Sequence, residues 1–356
     1  MALNLPLFYF SYFTLVFVLS ILMNSLFLKF ARTLGIRRSE NIIRWSDIYK
    51  PALGGITFYI TFLLSLIIYS LFFEQTNILL HSETLGILAA CTIAFLMGLA
   101  DDAYDTNPIL KFSAQVFCGI ILIYSGISIR LFENDYINYI LTMLWVVGIM
   151  NAINLLDNMD AIASIVSLNA LITMVCLLII NKQSGSVFIT LILGTGSALS
   201  AFLLFNWFPS KMYMGDTGTQ FLGVFMAALS ILFLWGTTPE PLLPASRNVI
   251  SVLLTFALPI IDTTTVFTNR ILKGSSPFVG GKDHTTHHLF YLGIKEPKIA
   301  LIFAGYSAIS LVLVVLINKY IQEWSILYFF IFLGYFVLSL IAFFIITRIK
   351  KKEHAA

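Results

Sequence analysis

The sequence predicts an all-α, polytopic integral membrane protein of about eleven transmembrane helices, and three observations carry that prediction. Apolar residues make up 59% of the 356 positions and charged residues only 11%, where an ordinary soluble domain carries about 25% charge. Long apolar runs recur to the C-terminus without period-2 alternation, giving a mean hydropathy of +0.92, so the spans are helices and not barrel strands. The scarce cations are also distributed by side. Together these features exclude a soluble enzyme on a single anchor and argue against a nucleic-acid partner.

A hydrocarbon core of about 30 Å needs about 20 apolar residues per helix. The first run, 7–29, follows MALNLPLFYF, which lacks a basic n-region and a small-residue cleavage site, so it is expected to be a retained span. The second, 52–73, opens on PALGG, and the third, 85–100, ends in MGLADDAYD. The fourth is 112–129; the fifth, 137–153, runs into NAINLLDNMDAIAS; the sixth and seventh are 161–180 and 186–205. The eighth, 218–236, follows MGDTG, and 248–268, 299–318 and 324–347 complete the set. Cys91, Cys118 and Cys176 lie inside runs without paired spacing and read as small core residues. Residues 1–356 form one membrane-embedded domain, whose longest polar connector is 269–298.

An odd count places the termini on opposite sides. Seventeen of the 21 Lys and Arg fall in one alternating set of connectors, which the positive-inside rule assigns to the cytoplasm, with the N-terminus outside and the C-terminus cytoplasmic. Nine of the ten Asp residues share that side, only Asp135 lying opposite, whereas Glu is spread over both. Because acids contribute little to orientation, aspartates gathered at helix ends on one face suggest a metal or phosphate site there.

Four segments build it. Asp101, Asp102 and Asp105 cluster in DDAYD, where helical spacing stacks Asp101 and Asp105 on one face; a solvated helix end is the bland alternative. Asn151, Asn154, Asp157, Asn158 and Asp160 supply hard oxygen ligands suited to Mg²⁺ or Mn²⁺, or acceptors for sugar hydroxyls, where interhelical hydrogen bonding would be the plainer reading. Asp216 sits between Gly215 and Gly218, which let backbone amides approach an oxyanion at a helix start, although an N-capping Asp explains GDTG as well. In 269–298, Arg270 and Lys273 accompany His284, His287 and His288, whose i, i+3, i+4 spacing sets all three on one face of a short helix. A diphosphate contact is preferred to a metal site there, since no Cys or HExxH companion supports zinc. Asp262 is left without a role.

In order, spacing and side, PALGG, DDAYD, NAINLLDNMDA, MGDTGTQFLG and DHTTHH resemble the polyprenyl-phosphate N-acetylhexosamine-1-phosphate transferase family, glycosyltransferase family 4, over nearly the whole chain. The resemblance implies transfer of an N-acetylhexosamine 1-phosphate from a UDP-sugar to undecaprenyl or another polyprenyl phosphate, with release of UMP. The product is a lipid-linked diphosphate sugar that initiates cell-envelope polysaccharide synthesis in the inner (plasma) membrane, with the site facing the cytoplasm. It further implies Asp216 as the principal Mg²⁺ ligand with Asn154 beside it, and Asp101 and Asp102 at the acceptor phosphate or metal, Asp101 orienting or deprotonating the attacking oxygen. Asp157 and Asp160 fall at the nucleotide sugar or metal shell, joined by Asn151, Asp105 and Asn158, while Arg270, His284, His287 and His288 hold the donor. Homodimerisation stays open.

Asp105, MGDTG and DHTTHH are similar to the WecA- and TagO-like branch, so UDP-GlcNAc or a close relative is the expected donor rather than the UDP-N-acetylmuramoyl-pentapeptide of the MraY-like branch, the alternative within the family. Two positions depart from the pattern: Ala161 stands where members usually have Gly, and RWSDIYK offers Arg44, Asp47 and Lys50 but no His. A transporter or flippase of a lipid-linked intermediate is the rival from another class. It would also need a charged cavity, but the chain shows neither an internal repeat nor midplane polar residues in broken helices. A CDP-alcohol phosphotransferase is set aside because DNMDAIAS lacks the DGxxAR signature.

Overall fold

The computed structural model describes residues 4–31, 50–73, 81–236, 242–276 and 280–349; Arg44, Asp47 and most of the basic segment before PALGG lie outside them. Helices fill the described chain in the order α1 (Leu5–Phe30), α2 (Gly54–Phe72), α3 (Ser82–Tyr104), α4 (Pro108–Tyr124), α5 (Asp135–Leu156), α6 (Ile162–Ile180) and α7 (Val187–Asn206). There follow α8 (Gly215–Phe233), α9 (Leu242–Thr255), α10 (Ala257–Leu272), α11 (Thr285–Tyr291), α12 (Glu296–Lys319) and α13 (Ile326–Ile346). Among the described residues no strand forms; a single bridge joins Ala52 to Tyr213. The chain is thus an all-α, multi-pass membrane protein.

Several starts are set locally. Asn4, Asn107, Asn134 and Ser186 each accept a hydrogen bond from a first-turn amide of the helix that follows, with Pro6 and Pro108 in the opening turns of α1 and α4.

Each predicted span coincides with a helix, the ninth with a bent pair, in keeping with the expected count of about eleven. Nine described helices are long and apolar enough to cross a bilayer, ten if α9 and α10 are taken as one span. α4 has 17 residues, about 26 Å of helix and at the short limit for a crossing. The predicted 248–268 span is broken: α9 and α10 meet at 74°. Pro259 explains the break, because it has no N–H and its ring collides with the carbonyl of residue i−4, Thr255, the last residue of α9.

α8 is the hub. Its apolar window is 83% buried, against 11% for the lipid-facing α13, and it packs on α2, α3, α5 and α6. Lipid tails are as apolar as Leu, so close packing must hold helices together, and α8 obtains it in two ways. Phe62 meets Phe221 and Phe225 edge-on at 5.5 and 5.6 Å, contacts worth about 0.5–1.5 kcal/mol each. Elsewhere glycines bring backbones together: a Cβ on Gly55 would strike Gly218, and one on Gly98 would strike the Asp216 carbonyl.

Candidate active site at one end of the bundle

The ends of α3 and α5, the starts of α8 and α11, and the 207–213 loop enclose a cavity of about 1020 Å³. PALGG seats its floor. Tyr213 donates its amide to the Pro51 carbonyl (2.9 Å) and accepts from Gly54 (3.2 Å), and Gly55 donates to the Met214 carbonyl (3.1 Å). Gly215 follows at φ +71°, a conformation that favours glycine, and a Cβ there would meet the Asp102 carboxylate and Ala52.

Asp102 takes the start of α8. Its Oδ1 accepts from the Asp216 amide (2.9 Å) and its Oδ2 from the Thr217 amide (2.8 Å) and hydroxyl (2.6 Å). The amides expected to meet a ligand oxyanion are therefore bound by a carboxylate from α3, and Asp216, one residue inside the helix, is not its N-cap. Asp216 instead accepts from Lys111 Nζ (2.7 Å) and from Asn154 Nδ2. Lys111 also donates to Asp101 Oδ2 (2.9 Å), whose other oxygen accepts from the Thr106 amide (3.0 Å) and hydroxyl (2.6 Å). One ammonium thus bridges carboxylates from α3 and α8.

Asp105 does not stack on Asp101 as expected. It leaves the helix as a left-handed C-cap, φ +52°, and is exposed at the cavity. α5 likewise ends at Leu156, so Asp157 is its cap and Asp160 lies beyond it. Asp160 is buried and accepts from the Ser210 amide (2.8 Å) and hydroxyl (2.7 Å), while Lys50 reaches Ser210 (2.9 Å) and Asp160 (3.5 Å).

The histidines are not on one helix face. His284 precedes α11 as its N-cap, because Asp262 claims both His284 and Thr285; the helix starts one residue later than the His spacing suggested. His287 Nδ1 accepts from the His284 amide (3.4 Å), so Nε2–H donates to the Asn158 carbonyl (3.3 Å), and Thr286 donates to the Asn158 side chain. Burial, with His284 adding to it, pushes His287 down to about 4, so the ring is neutral at physiological pH. His288 packs against Tyr291, ring centroids 5.9 Å apart. Arg270 lies in α10, not in the connector, and grips Asp283 through Nε (2.9 Å) and Nη2 (2.7 Å). Burial works upward on Asp283, but the Arg270 hydrogen bonds and charge outweigh it and hold the carboxyl below its usual range.

The cavity therefore collects Asp101, Asp102, Asp105, Asn154, Asp157, Asn158, Asp160, Asp216, His284 and His287; Asn151, Arg270 and His288 are not among its lining. Asn151 instead exchanges amide hydrogen bonds with Gln115 (2.8 and 3.2 Å), and Gln115 reaches Gln220 (3.0 Å), tying α4 and α5 to α8. Lys111 was missed as a site residue: sequence reading counted it only as a cytoplasmic charge, although it sits in the first turn after DDAYD.

Residues 84–234 match the family described as Glycosyl transferase family 4, and that stretch carries the first three acid-bearing segments. Over that stretch the chain is similar to this family. It is 26% identical over 266 residues to a Bacillus subtilis protein named a probable undecaprenyl-phosphate N-acetylglucosaminyl 1-phosphate transferase, covering 72% of this chain and 70% of that one. It is 25% identical over 282 residues to a Mycobacterium leprae decaprenyl-phosphate N-acetylglucosaminephosphotransferase, covering 71% and 69%. A Streptococcus agalactiae phospho-N-acetylmuramoyl-pentapeptide-transferase is 30% identical over 199 residues, covering 51% of this chain and 59% of that protein.

Ala161 gives the departure from the family pattern a structural meaning: it is the left-handed N-cap of α6, φ +70°, with its amide donating to Asn206 Oδ1 (3.0 Å). An alanine Cβ in that region costs about 1–2 kcal/mol. Ala161→Gly is expected to raise the unfolding free energy by about 1 kcal/mol, read as a higher thermal midpoint in detergent; a lowered midpoint would contradict the strain.

Proposed function

We propose that the protein transfers N-acetylglucosamine 1-phosphate from UDP-GlcNAc to undecaprenyl or a related polyprenyl phosphate, releasing UMP, with the site at the cytoplasmic face of the plasma membrane. The observation that carries this is Lys111 held between Asp101 and Asp216, two carboxylates that line the cavity, an arrangement suited to two phosphates that must meet despite their charge. The named activities of the relatives support it.

In the reaction an acceptor phosphate oxygen attacks the β-phosphorus of the donor, the bond to the α-phosphate oxygen breaks, and UMP leaves. Phosphoryl transfer of this kind depends on positioning and charge compensation more than on covalent chemistry. Lys111 offsets the negative charge that gathers as the two phosphates approach. Asp101, fixed by Thr106, orients the attacking oxygen. Tyr213 lines the cavity with Lys50 Nζ 5.1 Å from its ring centroid, and Asp157 faces the nucleotide sugar.

Among the described residues no group of three His, Cys, Asp or Glu converges to hold a metal. Mg²⁺ typically takes one or two carboxylates and completes its shell with substrate phosphates and water, and the Asp101–Asp216 pair beside the Asn154 amide fits that demand. These three residues would hold Mg²⁺, or Mn²⁺, which when bound neutralises diphosphate charge.

The test is UMP release by purified protein given Mg²⁺, undecaprenyl phosphate and a panel of UDP-sugars. UDP-GlcNAc is expected to give UMP and a lipid diphosphate sugar, and UDP-N-acetylmuramoyl-pentapeptide none. No release with any N-acetylhexosamine donor would overturn the reading and return weight to a transporter.

A further inference from the structure

Asp262 stood without a role in the sequence, one turn and a half into a helix with no other acid. In the fold it is 1% exposed, and a buried carboxylate must be compensated by hydrogen bonds or charge. Its compensation comes from one place. Oδ2 lies 2.8 Å from His284 Nδ1, while Oδ1 accepts from the Thr285 amide (2.9 Å) and hydroxyl (2.6 Å). An ionised carboxylate only accepts, so the proton between Asp262 and His284 resides on Nδ1. His284 is itself 4% exposed, yet it lines the cavity. With Nδ1 committed, Nε2 is the ring atom left for a ligand there. The Arg270–Asp283 pair anchors the preceding residue to the same helix, so α10 holds the approach to His284 from both sides.

We propose that Asp262 is a positioning residue for catalysis: it fixes the tautomer and angle of His284 so that Nε2 addresses the donor's phosphate or sugar. The proposal deepens the transferase reading and rests on it for its kinetic arm. Behind metal-ligating imidazoles such carboxylates are worth about 10- to 100-fold, and a loss of that order is expected here.

Asp262→Asn keeps the side chain's shape and an acceptor for Thr285, but its amide N–H can meet His284 Nδ1 and favour the opposite tautomer. The variant is expected to lower kcat for UMP release about 10- to 100-fold, with a smaller change in KM. His284→Gln is expected to do the same, and the double variant to be no slower than His284→Gln alone, since the two act as one unit. Thr285→Val removes one Asp262 contact without touching the imidazole and is expected to stay near wild type. Multiplicative losses in the double variant, wild-type turnover in Asp262→Asn, or a Thr285→Val loss as large as that of Asp262→Asn would overturn the proposal.

A second measurement does not need turnover. In protein labelled with ¹⁵N-histidine, the resonances absent from His284→Gln identify the ring. Nδ1 is expected to carry a proton in the native chain and to lose it in Asp262→Asn; an unprotonated Nδ1 in the native chain, or no change in the variant, overturns the positioning role. Should the native chain release no UMP while the tautomer still switches, the transferase reading fails and the positioning of His284 stands.

Discussion

Replacing Asp216 with Asn will leave a folded protein that releases UMP from UDP-GlcNAc about 10²- to 10³-fold more slowly than the native chain. The carboxylate does not hold its own helix in place: Asp102 binds the amides of residues 216 and 217, so the start of α8 stays anchored when residue 216 becomes neutral. What disappears is half of the acidic pair that faces Lys111. In the apo protein the ammonium then has Asp101 alone, and in the working enzyme the hard-oxygen pair proposed for Mg²⁺ is reduced to one carboxylate. Mg²⁺ should accordingly raise the melting temperature of the native protein, as a ligand selective for the folded state must, and should fail to do so in Asp216→Asn. Wild-type turnover in the variant would remove Asp216 from the metal site; an equal metal-induced shift would do the same.

Gly98→Ala should have an effect of similar size by a different route. A Cβ at position 98 would fall against the Asp216 carbonyl and Thr217 Cα, atoms of the α8 backbone and not the movable tip of a side chain. Either α3 or α8 has to shift, and overpacking of this kind costs about 1–3 kcal/mol. The displaced residues are those that carry Asp101, Asp102 and Asp216, and a misplacement of about 1 Å at a reacting centre can cost about 10²-fold in rate. Thermal stability and turnover are expected to fall together. Gly148→Ala in α5 is the control: open space surrounds that position, and alanine is favoured over glycine inside a helix. If Gly98→Ala kept native stability and rate, the close approach of α3 to α8 would not be holding the site.

The contrast between these two residues separates what was legible in the sequence from what was not. Spans and acids were legible because each announces itself locally: twenty apolar residues need a bilayer, and aspartate at a helix end needs compensation. The fold class and the gathering of the DDAYD, NAINLLDNMDA and GDTG acids around one cavity followed from that. Partner identity was not legible. Lys111 and Asp216 are 105 positions apart, and only the packing of α4 against α8 brings them together. The start of α8 was read as open to a ligand because no local signal shows that a carboxylate from α3 already fills it. His spacing placed three rings on one face because the register was taken from the histidines alone, while the residue that sets where α11 begins, Asp262, lies on a different helix. The break before α10 was legible in principle: Pro259 lacks the N–H a continuous span requires.

The burial of α8 bears on how the protein enters the membrane at all. Its window has the lowest hydropathy of the nine, 1.3 against 1.8 to 2.8 for the others, since Thr217, Thr219, Gln220 and Ser230 are all buried within it. Such a segment partitions weakly into lipid by itself, and the helices it packs on, α2, α3, α5 and α6, are all synthesised before it. Those earlier helices cannot complete their own packing until it arrives. The bundle is therefore expected to close only once α8 is in place.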